Sequence, residues 1–140
     1  MQTFLTDHDL RVNASNLDRQ RLGKQRVEAR QIAEVLCGWS SGWKRHPAVR
    51  MWKGYVGFLL RCYLPPILEE WEGRGYSNEK TSKAIRNLNA FTAFENEIRP
   101  PWITDQLILS HRSNLIQKFP EHYQPIWPDV KPGLPYVWPA

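Results

Sequence analysis

No stretch of this sequence approaches the roughly 18 consecutive apolar residues of a membrane-spanning helix. The opening Met1-Gln2-Thr3-Phe4 lacks the basic and apolar regions of a secretory signal. Two cysteines, Cys37 and Cys62, are too few for a disulfide framework and too far apart for a zinc knuckle, so both are expected to be buried free thiols. Strand-like alternation is nowhere convincing, and there is no internal repeat. Acidic residues are scarce in one region only: between Arg11 and Lys53 ten Lys or Arg face three acids (Asp18, Glu28, Glu34), whereas residues 54–140 hold nine of each. These absences predict a soluble cytoplasmic protein whose positive field belongs to the first third of the chain.

What is present fits one folded unit. A chain of 140 residues can bury a continuous core, and 41% hydrophobic with 24% charged residues is an ordinary globular composition. The expected fold is all-α, a compact single domain over residues 1–140 with an extended C-terminal tail rich in proline and aromatics.

Helical spacing places the first helix at 17–36, capped by Ser15 or Asn16 and stopped by Gly38, with Leu22, Ala29, Ile32, Ala33 and Leu36 on one face. Pro47 opens a second helical segment carrying Val49, Trp52, Val56, Leu59, Leu60 and Tyr63, which Pro65-Pro66 should break or kink. Weaker helical spacing covers Thr81–Phe94, and a better helix runs from Thr104, as cap, to Lys118. Six of the eleven prolines fall from Pro120 onward among Tyr123, Trp127, Tyr136 and Trp138. That much aromatic surface predicts a tail wrapped on the helices rather than solvated.

Three constellations carry candidate chemistry. On the first helix Arg21, Lys24, Gln25 and Glu28 share the face opposite the Leu22 stripe. One carboxylate thus sits in a cationic surface: either Glu28 pairs with Lys24 on a solvated face, or the surplus cations, Arg26 among them, await phosphates. The second is Trp43-Lys44-Arg45-His46-Pro47, with Arg50 just beyond. A helix N-terminus there suits a phosphate, and Trp or His can stack on an unstacked base; alternatively His46 is a local hydrogen-bonding cap. The third is Ser110-His111-Arg112-Ser113-Asn114 followed by Lys118 and Tyr123, where His111 and Arg112 would grip backbone phosphate and Tyr123 would stack or hold one of them in place; Lys118, and Gln25 of the first helix, are counted with the nucleic-acid-binding residues. Glu28 and the histidines match no metal-ligand spacing, so neither metal nor cofactor is expected.

The string LDRQRLGKQRVEARQI resembles the first active-site helix of the pyrimidine-dimer DNA glycosylases, the family of the phage enzyme endonuclease V. The likeness continues in HPAVRMWKGY, EEWEGRGY, SHRSNLIQKFPEHYQPIWP and PYVWP, and is nearest to the bacterial and phage branch. It implies a DNA glycosylase acting on damaged pyrimidines in double-stranded DNA, working as a monomer, with Glu28 as the catalytic carboxylate. In that family a chain-terminal α-amine attacks C1′, forms an imine as the base leaves and permits β-elimination of the 3′ phosphate, which is AP lyase chemistry. The nucleophile is then Met1, or Gln2 if Met1 is removed; the bulk of Gln2 favours retention of Met1. An α-amine, with an ordinary pKa of about 8, keeps a neutral fraction that a lysine side chain near 10.4 lacks. The alternatives are a DNA-binding protein without chemistry and a glycosylase for another modified base.

Overall fold

The computed structural model describes residues 1–139, which contain helices and no β-sheet; residues 1–7 form a single extended run, the N-terminal strand, that pairs with no other. Gln2 through Thr6 are buried. Helix α1 (Leu10–Asn16) follows, its Asp9 cap accepting from Arg11 N–H and Val12 N–H. At seven residues α1 is too short for helical periodicity to announce it, and its last residues, Ser15 and Asn16, read in sequence as caps of the next helix.

Helix α2 is Arg19–Leu36, so Ser15 and Asn16 are not its caps; Asp18 holds that position without capping through its side chain. Its carboxylate is instead taken by Tyr123 and Arg21. Gly38, at φ +79°, closes the helix in the left-handed conformation, its N–H donating to Val35 O at 3.0 Å and the Trp39 N–H to Glu34 O at 2.8 Å. Leu22, Ala29, Ile32 and Ala33 are fully buried, as their spacing predicts, while Leu36 is only partly covered. Burying a leucine or isoleucine here is worth about 1.5 to 3 kcal/mol.

The expected second helix is four pieces: α3 (Pro47–Arg50), α4 (Val56–Phe58), a π turn (Leu59–Tyr63) and α5 (Leu64–Gly73). Pro65 and Pro66 therefore do not end the helix. They fall in the first turn of α5, after a widened turn in which Leu64 N–H reaches back to Leu59 O. The wider ladder relieves the clash that a proline ring makes with the carbonyl four residues earlier. It also leaves Tyr63, wholly buried, under the N-terminal strand. Gly57 is required by a close approach: a Cβ there would lie 2.0 Å from the Asn96 carbonyl oxygen. The crossing segment is held by Arg61, which donates to Glu97 at 2.7 Å, Glu95 O at 2.6 Å and Thr92 Oγ1 at 3.2 Å.

Helix α6 (Glu79–Phe91) starts and stops slightly before its predicted bounds, and α7 (Asp105–Lys118) has Thr104 as cap, Oγ1 accepting from Leu107 N–H at 3.2 Å. After a short α8 (Pro120–Tyr123) the tail is extended and packs Trp127, Val130, Tyr136 and Trp138 on the core. Ser110, Ser113 and Asn114 of α7 staple it: Ser113 Oγ donates to Lys131 O at 2.6 Å, Asn114 Nδ2 to Leu134 O at 3.0 Å, and Ser110 Oγ accepts from Val137 N–H at 3.1 Å. Cys37 and Cys62 are free thiols, half-buried rather than buried.

Candidate active site and nucleic-acid interface

The N-terminal strand runs where no backbone neighbour can serve its polar groups, so side chains do. Gln2 N–H donates to Glu28 Oε2 at 3.3 Å, Phe4 N–H to Gln25 Oε1 at 3.0 Å, Leu5 N–H to His111 Nδ1 at 2.9 Å and Thr6 N–H to Asn13 Oδ1 at 2.6 Å. Three carbonyls are matched as well: Gln25 Nε2 donates to Gln2 O at 3.0 Å, Asn13 Nδ2 to Phe4 O at 3.2 Å and Arg112 Nε to Thr6 O at 2.7 Å. The Tyr63 hydroxyl lies 2.8 Å from Gln25 Oε1 and 2.9 Å from Phe4 O, and Trp52 Nε1 donates to Thr3 Oγ1 at 2.8 Å. Each bond here replaces one the strand would otherwise make with water, and losing a partner inside would cost about 1 to 3 kcal/mol.

The strand delivers Met1 to a cavity of about 250 Å³ lined by Met1, Gln2, Gln20, Arg21, Lys24, Gln25, Glu28, Lys118, Tyr136 and Trp138. A more open groove of about 610 Å³ on the other side of α2 shares Gln20, Lys24 and Glu28 with it and adds Arg19 and Trp71. Glu28 thus lines both spaces, a single carboxylate among Arg19, Arg21, Lys24 and Lys118. Such a setting binds a polyanion at its rim while presenting one negative charge to a reacting centre.

His46 caps α3, its Nδ1 accepting from Ala48 N–H at 3.0 Å, and its ring stands edge-on to Trp43 at 5.7 Å and to Trp138 at 6.5 Å. Burial first, and then the Met1 ammonium, hold the imidazole below its ordinary value, with Glu28 opposing. Burial, seconded by Glu28, holds the Tyr63 phenol above its ordinary range.

The cations named from sequence divide. Arg21, Lys24 and Lys118 meet at the cavity, and Lys44, Arg45 and Arg50 are exposed. Arg26 is not free: its guanidinium lies 4.3 Å over the Trp71 ring and donates to Asn78 Oδ1 at 3.1 Å. Arg112 is likewise occupied, by Thr6 O and Asp7 and by the Trp127 ring at 5.3 Å.

Three residues that the sequence places on DNA, Gln25, His111 and Tyr123, lie inside the protein instead. Gln25 is spent on the strand, although it reaches the cavity wall. His111 is fully buried, and burial pushes it down to about 3, so it is neutral and cannot be a phosphate-gripping cation. Tyr123 is fully buried, its hydroxyl accepting from Asp18 N–H at 2.9 Å and donating to the Asp18 carboxylate. Burial works to raise that carboxyl, but Tyr123 and Arg21 outweigh it and hold Asp18 below the ordinary carboxylate range.

Sequence reasoning missed Asn13 and Tyr63 as strand holders, and Gln20, Tyr136 and Trp138 as cavity lining. Only the aromatic density of the tail pointed towards the last two. Among the described residues no cluster of His, Cys, Asp or Glu is close enough to hold a metal ion, and no helix is long and apolar enough to cross a membrane.

Comparison with curated proteins and with solved structures gave no match. A family model described as pyrimidine dimer DNA glycosylase matches residues 1–84, a span holding the strand, α2 with Glu28, the His46 cap and Tyr63. On that match, which takes in more than half of its length, the chain belongs to the pyrimidine dimer DNA glycosylase family.

Proposed function

We propose that this glycosylase releases a damaged pyrimidine through the α-amine of Met1, with Glu28 as its catalytic carboxylate, and then cleaves the strand as an AP lyase. The observation that carries the reading is the strand itself: a run from Gln2 to Thr6 whose backbone N–H groups are all bonded leads Met1 into the cavity that Glu28 lines, with Gln2 N–H on Glu28 Oε2 at 3.3 Å.

In this mechanism the neutral amine attacks C1′, and the bond from C1′ to the base breaks with its electron pair leaving on the base. Glu28 stabilises the positive charge developing at C1′. Glu28 takes a proton from the attached amine and passes it to O4′ as the C1′–O4′ bond opens, giving a protonated imine and a 4′-hydroxyl and leaving Glu28 a carboxylate again. Glu28 then removes a proton from C2′, the C3′–O bond breaks and the 3′ phosphate leaves; water finally hydrolyses the imine. Arg21, Lys24 and Lys118, with Lys44, Arg45 and Arg50 further out, neutralise phosphates of a double-stranded substrate. The target nucleotide must leave the stack to reach the cavity.

The test is borohydride reduction during turnover on a duplex with one thymine dimer and on a duplex with one abasic site. The reading expects a covalent protein–DNA adduct on both, mapped by peptide mass to Met1. Because the two thymines of a dimer stay joined through the cyclobutane ring, base release from a dimer is read as cleavage of one N-glycosyl bond, scored as free thymine after photoreversal; such release without any reducible adduct would eliminate the amine and leave water as the nucleophile.

A further inference from the structure

Extruding a nucleotide leaves a gap in the base stack, and proteins commonly fill such gaps with an apolar side chain. We propose that Trp43 is the wedge that enters the duplex next to the extruded nucleotide. This rests on the glycosylase reading above and adds a residue to it.

Four observations carry the proposal. Trp43 is 60% exposed, a large apolar surface left in water on a tight turn closed by the His46 N–H donating to Trp43 O at 2.9 Å. Its φ is +66°, the only positive φ on a non-glycine among the described residues. A bulky residue is rarely held in that conformation, and strained positions of this kind concentrate where a side chain must be aimed. Its neighbours Lys44 and Arg45 are exposed cations, with exposed Arg50 one helical turn beyond, so the aromatic tip is surrounded by charge that suits a phosphate backbone. Finally, Trp43 is connected to the cavity through rings: it stands against His46, and His46 against Trp138, which lines the cavity with Met1 and Glu28.

The other exposed aromatics lack this combination. Phe94 is followed by Glu95 and Glu97, which would repel a phosphate backbone, and Phe91 is paired edge-on with Trp39 at 5.2 Å. Tyr76 is stacked on Trp71 at 4.3 Å.

The experiment uses Trp43→Gly, because glycine accepts a positive φ without strain and removes the ring. The variant is expected to melt at or above the wild-type temperature. Base release from a thymine-dimer duplex should slow by roughly five- to a hundredfold, the range that stacking on a base commands. Release from the same dimer in a single strand, which needs no gap filled, should change by less than about twofold. Trp43→Phe should recover much of the duplex rate. Equal slowing on duplex and single strand, or no slowing on either, would overturn the wedge.

A second readout does not depend on turnover. In the Glu28→Gln background, a 2-aminopurine beside the dimer should brighten on binding when Trp43 is present and much less in the Trp43→Gly double variant. If the wild type releases no base yet this signal depends on Trp43, the glycosylase mechanism fails and the wedge stands. If the wild type releases base and the signal ignores Trp43, the wedge alone fails.

Discussion

The N-terminal strand, which leads into the cavity, and the loop carrying Trp43, which is joined to the cavity wall through the rings of His46 and Trp138, are built in opposite ways. The strand is buried and its polar groups are met by side chains from α1, α2, α7 and the π turn. The loop is exposed, strained at Trp43 and populated by unburied cations. The difference separates two demands of one reaction. A nucleophile must be held in one geometry relative to its carboxylate, because a displacement of about 1 Å can cost on the order of a hundredfold in rate. A surface for a bent polyanion gains from accessible, mobile charge instead, since its affinity comes from counterion release more than from fixed contacts. Rigid bonding on one side and open charge on the other is the division of labour the fold supports.

Removing the strand's central anchor should break the comparison most strongly. Gln25→Met leaves the Phe4 N–H and the Gln2 carbonyl without a partner and the Tyr63 hydroxyl with Phe4 O alone. The expected result is a kcat lower by about a hundredfold with DNA affinity nearly unchanged, because the residue positions the strand without touching phosphate. Steady-state kinetics with a parallel binding titration check this; a rise in KM at constant kcat would place Gln25 in substrate binding.

A smaller effect lies at the other end of the strand. His111 accepts from Leu5 N–H while its Nε2 is buried without a hydrogen-bond partner, beside the rings of Phe4 and Tyr136. Burial depresses it from 6.5 to about 3, so between those values the unfolded chain binds a proton that the folded one refuses. Its contribution to stability is therefore complete above about pH 6.5 and declines as pH falls toward 3, by up to about 1.4 kcal/mol per pH unit. Urea midpoints of wild type and His111→Gln, compared across that window, should diverge in slope; parallel curves would mean that His111 is charged in the folded state.

The smallest effect belongs to the open side. Lys118→Ala should lower the slope of log K against log salt by about 0.9, the value of one phosphate contact, and leave stability within about 0.5 kcal/mol. An unchanged slope would remove Lys118 from the DNA path.

The unequal legibility of the sequence follows the same division. Helical spacing and the charge imbalance pointed to Glu28, Arg21 and Lys24 because those residues stand on the polar face of a regular helix, where periodicity is informative. Gln25 and His111 looked equally exposed, since a polar residue on a helix ordinarily faces water, and Tyr123, although in a tail expected to pack, stood in sequence beside candidate phosphate contacts. Each is instead the partner of a segment distant in sequence: Gln25 and His111 of the N-terminal strand, Tyr123 of Asp18. Nothing in local pattern announces an extended strand among helices, because its bonds are made by side chains and leave no ladder to read. The proline pair misled for a related reason. Pro65-Pro66 breaks a regular helix, but a π turn ahead of it converts those positions into a helix start and places Tyr63 against Gln25.

The central claim is that Glu28 acts on charge developing at C1′, and the rate of base release by Glu28→Gln on a thymine-dimer duplex tests it most directly. Glutamine retains the size of the side chain and an oxygen that can accept the Gln2 N–H, so the strand should stay in place and the protein should melt as the wild type does. Turnover should fall by about 10² or more, while DNA binding is unchanged or slightly tighter, because one negative charge has left a cationic face. A folded, DNA-binding Glu28→Gln protein that releases base at the wild-type rate would contradict the account.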